Sequence, residues 1–191
     1  MTIEAQGLMA SLGSICVIQS KSGLVIEAQV VGFKEDVILL MPFEGTQGLD
    51  SGARVRLKNQ SDLAFVGQDA LGRVLDAMGE PLDSLPALKC VTSVPLAGPK
   101  INPMLRDPIE EVLDIGVRAI NALLTMGCGQ RIGLIAGSGV GKSVLLGMMT
   151  RFSSADVIVI GLIGERGREV KEFIEKILGP QGLSRSVVIA S

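Results

Sequence analysis

Short apolar runs alternate with helix-forming stretches along the second half of the chain, which is the pattern of a parallel sheet flanked by helices. Residues 132–135 and 157–163 are apolar runs with the length of buried strands, and residues 187–190 begin a third. Residues 144–149 lie between the first two runs and predict a helix. We therefore expect an α/β unit with a partial, three-stranded parallel sheet whose apolar edges are bare.

An amphipathic helix is predicted after the second of these strands. Its apolar positions recur at i, i+3, i+4, i+7 and i+8, and they are Val170, Phe173, Ile174, Ile177 and Leu178. The pairs Glu172–Lys176 and Lys171–Glu175 are spaced for outward ion pairs on the same helix. Gly179-Pro180 predicts its end.

The first 67 residues lack this alternation and predict an all-β unit. Strands are expected over residues 15–18, 24–31, 37–41 and 54–57. Gly32 would end the second strand and Pro42 the third. Short strands with close turns are typical of a small barrel, and the charged residues of this unit predict only a solvated face.

A proline-rich passage separates the two patterns. Five of the eight prolines lie between residues 86 and 108, which excludes a helix there and favours an extended connection. The expected organisation is a β-barrel domain over residues 1–67, a connection with a strand and tight turn over 68–107, and an α/β core over 108–191. Within the core, Pro108 predicts the start of one helix and residues 117–124 a second.

The chemistry of the chain is concentrated in residues 136–143, Ala-Gly-Ser-Gly-Val-Gly-Lys-Ser. A strand before this stretch and a helix after it give the order of a phosphate-binding loop, with Ala136 in place of the usual first glycine. Lys142 would reach the β- and γ-phosphates of ATP, and the Ser143 hydroxyl would bind Mg²⁺. The expected nucleotide-binding residues are Gly137, Ser138, Gly139, Val140, Gly141, Lys142, Ser143 and Val144.

Other interpretations of this loop are weaker. A glycine-rich surface turn with a solvated lysine is the simplest of them. A dinucleotide fingerprint would require glycine at position 142, and a serine nucleophile elbow would require glycine at position 136 and a histidine, which the chain lacks.

Glu165 follows one predicted strand as Gly137 follows another, so the two are expected at the same rim of the sheet. A carboxylate there can hold the water that attacks the γ-phosphate. The alternative is that Glu165 merely lies favourably near a helix start. Arg166 and Arg168 oppose the helix dipole, so we expect them to have an anionic partner, which could be Glu169, nucleotide or an adjacent subunit.

Composition narrows the function further. The net charge is −2 and the aromatic residues are five phenylalanines, which argues against nucleic acid binding. Mean hydropathy is +0.45, yet no apolar run approaches the ~18 residues of a membrane helix, and Glu4 argues against a signal peptide. Without histidine, the widely spaced Cys16, Cys90 and Cys128 predict buried free thiols in a reducing cytosol.

Residues 136–143 and 164–175 together resemble the flagellum-specific export ATPase (FliI) family, which is related to the injectisome export ATPases and to rotary ATP synthase catalytic subunits. The resemblance extends over nearly the whole chain. ATP synthase catalytic subunits typically have threonine at the positions of Ser143 and Gly167, and the non-catalytic subunits have glutamine at that of Glu165. The loop and residues 146–152 resemble the flagellar branch.

This resemblance implies a cytoplasmic ATPase, peripheral at the inner face of the cell membrane, that works as a homohexamer with Mg²⁺ and ATP between subunits. The implied partners are a FliH-type regulator, a FliJ-type central stalk, the export gate and chaperone–cargo complexes, without nucleic acid. Lys142, Glu165 and Arg166 would be catalytic. Ser143 and Glu169 would lie at the metal.

Relative to that family, the chain begins inside the barrel and ends at Ser191. It contains no apolar strand ending in Asp after Ser143, so the Mg²⁺-supporting carboxylate, the arginine finger and the helical domain of the family are absent. We expect a fragment that is inactive or weakly active alone. The alternatives are an injectisome ATPase, a non-catalytic nucleotide-binding or assembly module, and, least supported, a helicase relative.

Overall fold

The computed structural model describes residues 2–59, 63–89, 92–96, 98–137 and 139–191. The chain divides into two compact units. Unit 1 consists of Met1–Ala64 and Val94–Pro99, and unit 2 of Phe65–Ser93 and Lys100–Ser191. The stretch predicted as a connection, 68–107, is therefore divided between the two units.

Unit 1 is built on a five-stranded antiparallel sheet. Its strands are β1 (Ile3–Gln6), β2 (Ile15–Gln19), β3 (Val25–Lys34), β4 (Val37–Pro42) and β5 (Arg54–Asn59), in the order β1-β4-β3-β2-β5. The four predicted strands are confirmed, and β1 is an additional one. Gly32 does not end β3 as predicted, because a register shift between Val30 and Gly32 forms a bulge past which the strand continues.

The remaining elements are short. The strands are β6 (Leu63–Val66), β7 (Val74–Leu75), β8 (Thr92–Pro95), β9 (Val112–Leu113), β10 (Met126–Gly127), β11 (Ile158–Leu162) and β12 (Ser186–Ala190). The helices are α1 (Arg118–Leu123), α2 (Lys142–Phe152), α3 (Gly167–Glu172) and α4 (Gly179–Leu183), with a π-helical segment, Phe173–Leu178, between α3 and α4. Single 3₁₀ turns lie at Gln68–Ala70 and Pro103–Leu105.

Unit 2 contains a parallel sheet in the order β11-β12-β7. β11 and β12 are two of the predicted strands. The third strand, β7, comes from the stretch predicted as a connection, where Gly72 N donates to Ser186 O at 2.8 Å and Val188 N to Arg73 O at 3.0 Å. The prediction of a parallel sheet is therefore confirmed for two of its three strands and wrong for the third, since β7 takes the place predicted for residues 132–135.

Residues 132–135, predicted as a buried strand, are neither a strand nor buried. Ile135 is 96% exposed and Ile132 50%. An apolar run forms a strand only where a neighbour pairs with its backbone N–H and C=O groups, and none of the strands among the described residues pairs with this one.

β11 is an edge strand that is buried on one face only. Ile160 and Leu162 belong to the core, whereas Val159 is 68% exposed and the following Ile163 69%. The prediction of a fully buried strand is therefore wrong, and the prediction of a bare apolar edge is confirmed for β11.

The helix predicted to begin at Pro108 does not form. Glu111 O instead accepts a hydrogen bond from Cys128 N at 2.8 Å, beside the antiparallel pair β9–β10, so the backbone here is committed to a strand ladder. The helix predicted over residues 117–124 is confirmed as α1, and its Leu123 is 81% exposed. Gly179-Pro180 ends the amphipathic segment as predicted, because Gly179 is the C-cap of Phe173–Leu178 with a φ of +66°, and the separate helix α4 begins there.

The π-helical segment lies at the centre of unit 2. Its Phe173 and Leu178 are buried with Val188 of β12 and with Ile160 and Leu162 of β11. The outward pairs are confirmed, with Lys176 Nζ 3.2 Å from a Glu172 oxygen and Lys171 Nζ 3.8 Å from a Glu175 oxygen. The amphipathic pattern therefore identifies both faces of this segment correctly.

Asp83 fastens the turn after β7 to that strand. Its carboxylate accepts two hydrogen bonds from Arg73, at 2.7 and 3.0 Å, and one each from Val74 N and Leu85 N at 3.0 Å. The Arg73 and Asp83 side chains are only 12% and 13% exposed. The Arg73 hydrogen bond in particular, with those of the backbone amides, holds the pKa of Asp83 well below its ordinary value.

We expect Asp83→Ala to lower the free energy of unfolding of the chain by about 2–4 kcal/mol at pH 7, because it leaves Arg73 and two amides without their carboxylate. Since the folded-state pKa of Asp83 is lowered, this contribution is fully present above the unfolded pKa of about 3.9 and is lost as the pH falls below it. The chain has no Trp or Tyr, so urea unfolding would be followed by circular dichroism at several pH values.

The matched control is Glu172→Ala, which removes the exposed ion pair with Lys176 and should cost within about 0.5 kcal/mol. A loss no larger for Asp83→Ala than for this control would contradict a stabilising role of Asp83.

Candidate phosphate-binding site

The loop before α2 adopts the conformation that its glycines permit. Gly139 and Gly141 have φ angles of +76° and +94°, the left-handed region that favours glycine. Gly141 is the N-cap of α2, and its carbonyl accepts the first helical hydrogen bond from Leu145 N at 2.9 Å. Lys142 and Ser143 are therefore the first two residues of the helix, where backbone N–H groups lack helical partners and attract anions.

A concavity of about 270 Å³ opens beside these two residues in unit 2. Its polar lining consists of Lys142, Ser143, Glu165 and Glu169. Its apolar lining consists of Leu134, Leu146, Leu162, Val170 and Phe173. The structure thus brings together a cation, a hydroxyl and two carboxylates that lie on either side of β11 in the sequence. The expected shared rim of Gly137 and Glu165 does not form as predicted, because residues 132–135 are not a strand of this sheet.

The other predicted site residues lie nearby but do not line this concavity. They are Gly137, Gly139, Val140, Gly141, Val144 and Arg166, and all of them are exposed. Ser138 lies outside the described residues. Exposed loop residues around an anion site are what backbone binding of phosphate requires, because the N–H groups rather than the side chains make the contacts.

Glu169 is the anionic partner expected for the arginines. One of its carboxylate oxygens lies 3.7 Å from Arg166 Nη1 and 3.9 Å from Arg168 Nη2. Among the described residues, Glu165 and Lys142 have no ion pair. The charge of Glu169 is therefore partly compensated, whereas those of Glu165 and Lys142 remain available to a ligand.

The apolar lining is the part of the site that the motifs do not identify. Val170 and Phe173 are predicted as an inward helix face and Leu162 as a strand residue, but no spacing rule places them beside a phosphate loop. Leu134 lines the concavity although its stretch is not a strand. Apolar walls of this kind are usual in ligand sites, where they lower the local dielectric constant and strengthen polar contacts.

The cysteines and possible metal ligands lie elsewhere. Cys16 is free and buried, as predicted, and burial raises the pKa of its thiol. Cys128 is exposed, so the prediction of a buried thiol is wrong there, and Cys90 lies outside the described residues. No group of three or more Asp, Glu, Cys or His side chains among the described residues could hold a metal. None of the described helices is long and apolar enough to cross a membrane.

Both units match models of one protein family. The β-barrel domain of the ATP synthase alpha/beta family matches residues 2–58, and the nucleotide-binding domain of the same family matches residues 116–191. Together they match more than half of the chain, which therefore belongs to the ATP synthase alpha/beta family. The predicted fold class, a small β-barrel followed by a phosphate-loop α/β core, is confirmed.

Within this family the chain is similar to flagellum-specific ATP synthases. It is 54% identical to that of Pseudomonas aeruginosa over 194 residues and 56% identical to that of Salmonella typhimurium over 201 residues, each covering 100% of the chain. The assembled ATPase EscN of the enteropathogenic E. coli type III secretion system, solved in complex with its central stalk EscO, superimposes with a TM-score of 0.87 at 39% identity over 100% of the chain.

The chain spans less than half of the length of these proteins. It covers 43% of the Pseudomonas protein, 44% of the Salmonella protein and 46% of the EscN chain. The resemblance to flagellum-specific export ATPases is confirmed over the whole chain. It concerns only the part of those proteins that the chain covers.

Proposed function

We propose that the chain binds Mg²⁺·ATP at the concavity of unit 2 and that the intact protein hydrolyses ATP to support export of flagellar proteins. The observation that carries this proposal is the convergence of Lys142, Ser143 and Glu165 on one concavity at the start of α2. The sequence supplies the phosphate loop, and the fold supplies a carboxylate opposite it.

Each residue has a distinct role in this proposal. The amides of residues 137–144 hold the phosphates, and Lys142 neutralises the charge that develops on the β- and γ-phosphates during hydrolysis. Glu165 holds and polarises the attacking water. Arg166, paired with Glu169, lies beside Glu165 in the chain and supports it.

The donor set fits a nucleotide-borne Mg²⁺, which supplies charge neutralisation at the phosphates when it is bound. Ser143 presents an exposed hydroxyl at the phosphate loop, and Glu169 presents a carboxylate to the same concavity. Because Glu169 also lies within ion-pair distance of two arginines, we assign the larger share of metal contact to Ser143.

Assembly and partners follow from the relatives. EscN is described as assembled and in complex with a central stalk, EscO. By analogy, we propose a homohexamer around a FliJ-type stalk. A FliH-type regulator, the export gate and chaperone–cargo complexes complete the proposed partners, at a cytoplasmic location on the inner face of the membrane.

Two other functions have specific support. The match to EscN favours an injectisome ATPase, although the identity of 39% is lower than the 54% and 56% shared with the flagellar proteins. The exposed residues 132–135 favour a module that binds nucleotide without hydrolysing it, because the stretch leading into the loop has no strand partner among the described residues.

Genetic complementation separates these functions. We expect the intact protein to restore swimming to a Salmonella strain that lacks its flagellum-specific ATP synthase, because the two share 56% identity over this region. The readout is the diameter of the swimming halo and the amount of flagellin in the medium. The Lys142→Ala variant is the control and should restore neither. Normal swimming with this variant would favour the non-catalytic module, and no swimming with the parent protein would contradict the flagellar assignment.

A further inference from the structure

Gly147 marks a very close contact between the two helical elements that carry the site. It is buried in α2, and it faces Ile177 of the π-helical segment. A Cβ atom at position 147 would overlap the Cγ2 methyl of Ile177 and lie 3.5 Å from both the Cβ and the carbonyl oxygen of Ile177. Glycine is therefore required for α2 to approach the segment at this distance.

This contact adjoins the concavity. Leu146 directly precedes Gly147, and Phe173 lies one helical turn before Ile177, and both side chains line the concavity. α2 also contributes Lys142 and Ser143 to one side of it, and the chain leading into the π-helical segment contributes Glu165 and Glu169 to the other. The separation of the helices at Gly147 therefore sets the separation between the loop residues and the carboxylates.

Neither element can yield easily to a larger residue at 147. Phe173 and Leu178 of the segment are buried in the core against β11 and β12. The end of α2 is held by a hydrogen bond from Ser154 N to Asp114 O at 2.8 Å, and a Cβ at Gly116 would overlap Phe152, so this end is closely packed as well. An added methyl group can turn the Ile177 side chain or move the two elements apart, and the packing of Ile177 against the core opposes the first response.

We propose that Gly147 is a positioning residue that sets the spacing between Lys142 and Ser143 on α2 and Glu165 across the concavity. The inference rests on the proposed ATPase function, because spacing matters only if both groups act on one nucleotide. Binding and hydrolysis depend on it differently. The loop, Lys142 and Ser143 move together with α2, so they keep their geometry, whereas Glu165 changes its distance from the γ-phosphate.

The test is the steady-state kinetics of Gly147→Ala in the intact protein. A displacement of about 1 Å can cost about 100-fold in rate, so we expect kcat to fall by about 10- to 100-fold. Affinity for a non-hydrolysable ATP analogue should change by less than about threefold, because the loss of an interaction made only in the transition state lowers kcat and leaves ground-state binding unchanged.

A second substitution distinguishes positioning from a general loss of stability. Ile177→Ala removes the overlapping Cγ2 methyl and leaves a Cβ at an ordinary contact distance of 3.5 Å. We therefore expect Gly147→Ala/Ile177→Ala to recover most of the parent kcat and Gly147→Val/Ile177→Ala to lose it again. Leu40→Ala, in strand β4 of the unit 1 core and outside unit 2, is the control for stability and should leave kcat within about twofold.

The outcomes are separable. A parent-like kcat for Gly147→Ala, a loss that Leu40→Ala reproduces, or a loss that Ile177→Ala does not relieve would each overturn the inference. If Gly147→Ala does not fold, the comparison of alanine and valine at 147 in the Ile177→Ala background decides the question. Absence of ATP hydrolysis by the parent protein would overturn the proposed function, and this inference with it.

Discussion

Glu165→Gln in the intact protein should lower the rate of ATP hydrolysis by about 10²- to 10⁴-fold, the usual contribution of a positioned general base. Glu165 follows β11, lines the concavity with Lys142 and Ser143, and has no ion pair among the described residues. Glutamine keeps the shape of the side chain but cannot accept a proton from water. Affinity for a non-hydrolysable ATP analogue should be nearly unchanged, so phosphate release and analogue binding would be measured together.

The matched control for this substitution is Glu175→Gln. Glu175 lies on the outward side of the π-helical segment, is 59% exposed, and pairs with Lys171 at 3.8 Å. Glu175→Gln makes the same chemical change ten residues further along the chain, and we expect its rate of ATP hydrolysis to be close to that of the parent protein. If Glu165→Gln behaves like this control, Glu165 has only a local role near the start of α3, which is the alternative that its sequence position allows.

Lys142→Ala should weaken binding of an ATP analogue to the 191-residue chain by about 10- to 100-fold. Charge-assisted hydrogen bonds are each worth about 1.5–3 kcal/mol, and each 1.4 kcal/mol is a factor of ten in affinity. Lys142 is exposed and has no ion pair among the described residues, so its removal leaves no buried partner and should not disturb the fold. Isothermal titration calorimetry with Mg²⁺ would measure the affinity.

Lys176→Ala is the corresponding control, because it removes the same charge from an exposed lysine that pairs with Glu172 at 3.2 Å. The two variants have the same net charge, and Lys176 lies outside the concavity. Equal affinity for Lys142→Ala and Lys176→Ala would refute the assignment of residues 136–143 as a phosphate-binding loop. Weaker binding by Lys142→Ala alone would locate the nucleotide at this loop.

Features that depend on a few neighbouring residues were predictable. The loop before α2 has positive φ angles, and the glycines that adopt them are visible in the sequence. The helical spacing of apolar residues from Val170 to Leu178 identifies the buried face of the π-helical segment. The alternation in the first 60 residues predicts four of the five strands of unit 1. In each case the decisive interactions lie within one turn or one strand.

Features that depend on pairing between residues far apart in the sequence could not be predicted from the sequence. Residues 132–135 have the composition of a strand, but among the described strands none pairs with them, so they remain exposed. The two-residue strand β7 carries little signal of its own, yet Gly72, Arg73 and β12 share backbone hydrogen bonds that recruit it to the parallel sheet. Pro108 is compatible with a helix start, but the pairing of β9 with β10 commits the next residues to a ladder.

The sequence by itself determined the kind of chemistry that we propose, because the phosphate-loop pattern and the glutamate after β11 are recognised as residue types at fixed spacings. Only the tertiary structure decided which residues form one site. It placed Glu165 and Glu169 opposite Lys142 and Ser143, paired Glu169 with Arg166 and Arg168, and added apolar walls from Leu146 and Phe173. The physical reason is that these distances are set by how closely α2 packs on the π-helical segment, a contact that requires Gly147 and that no local pattern encodes.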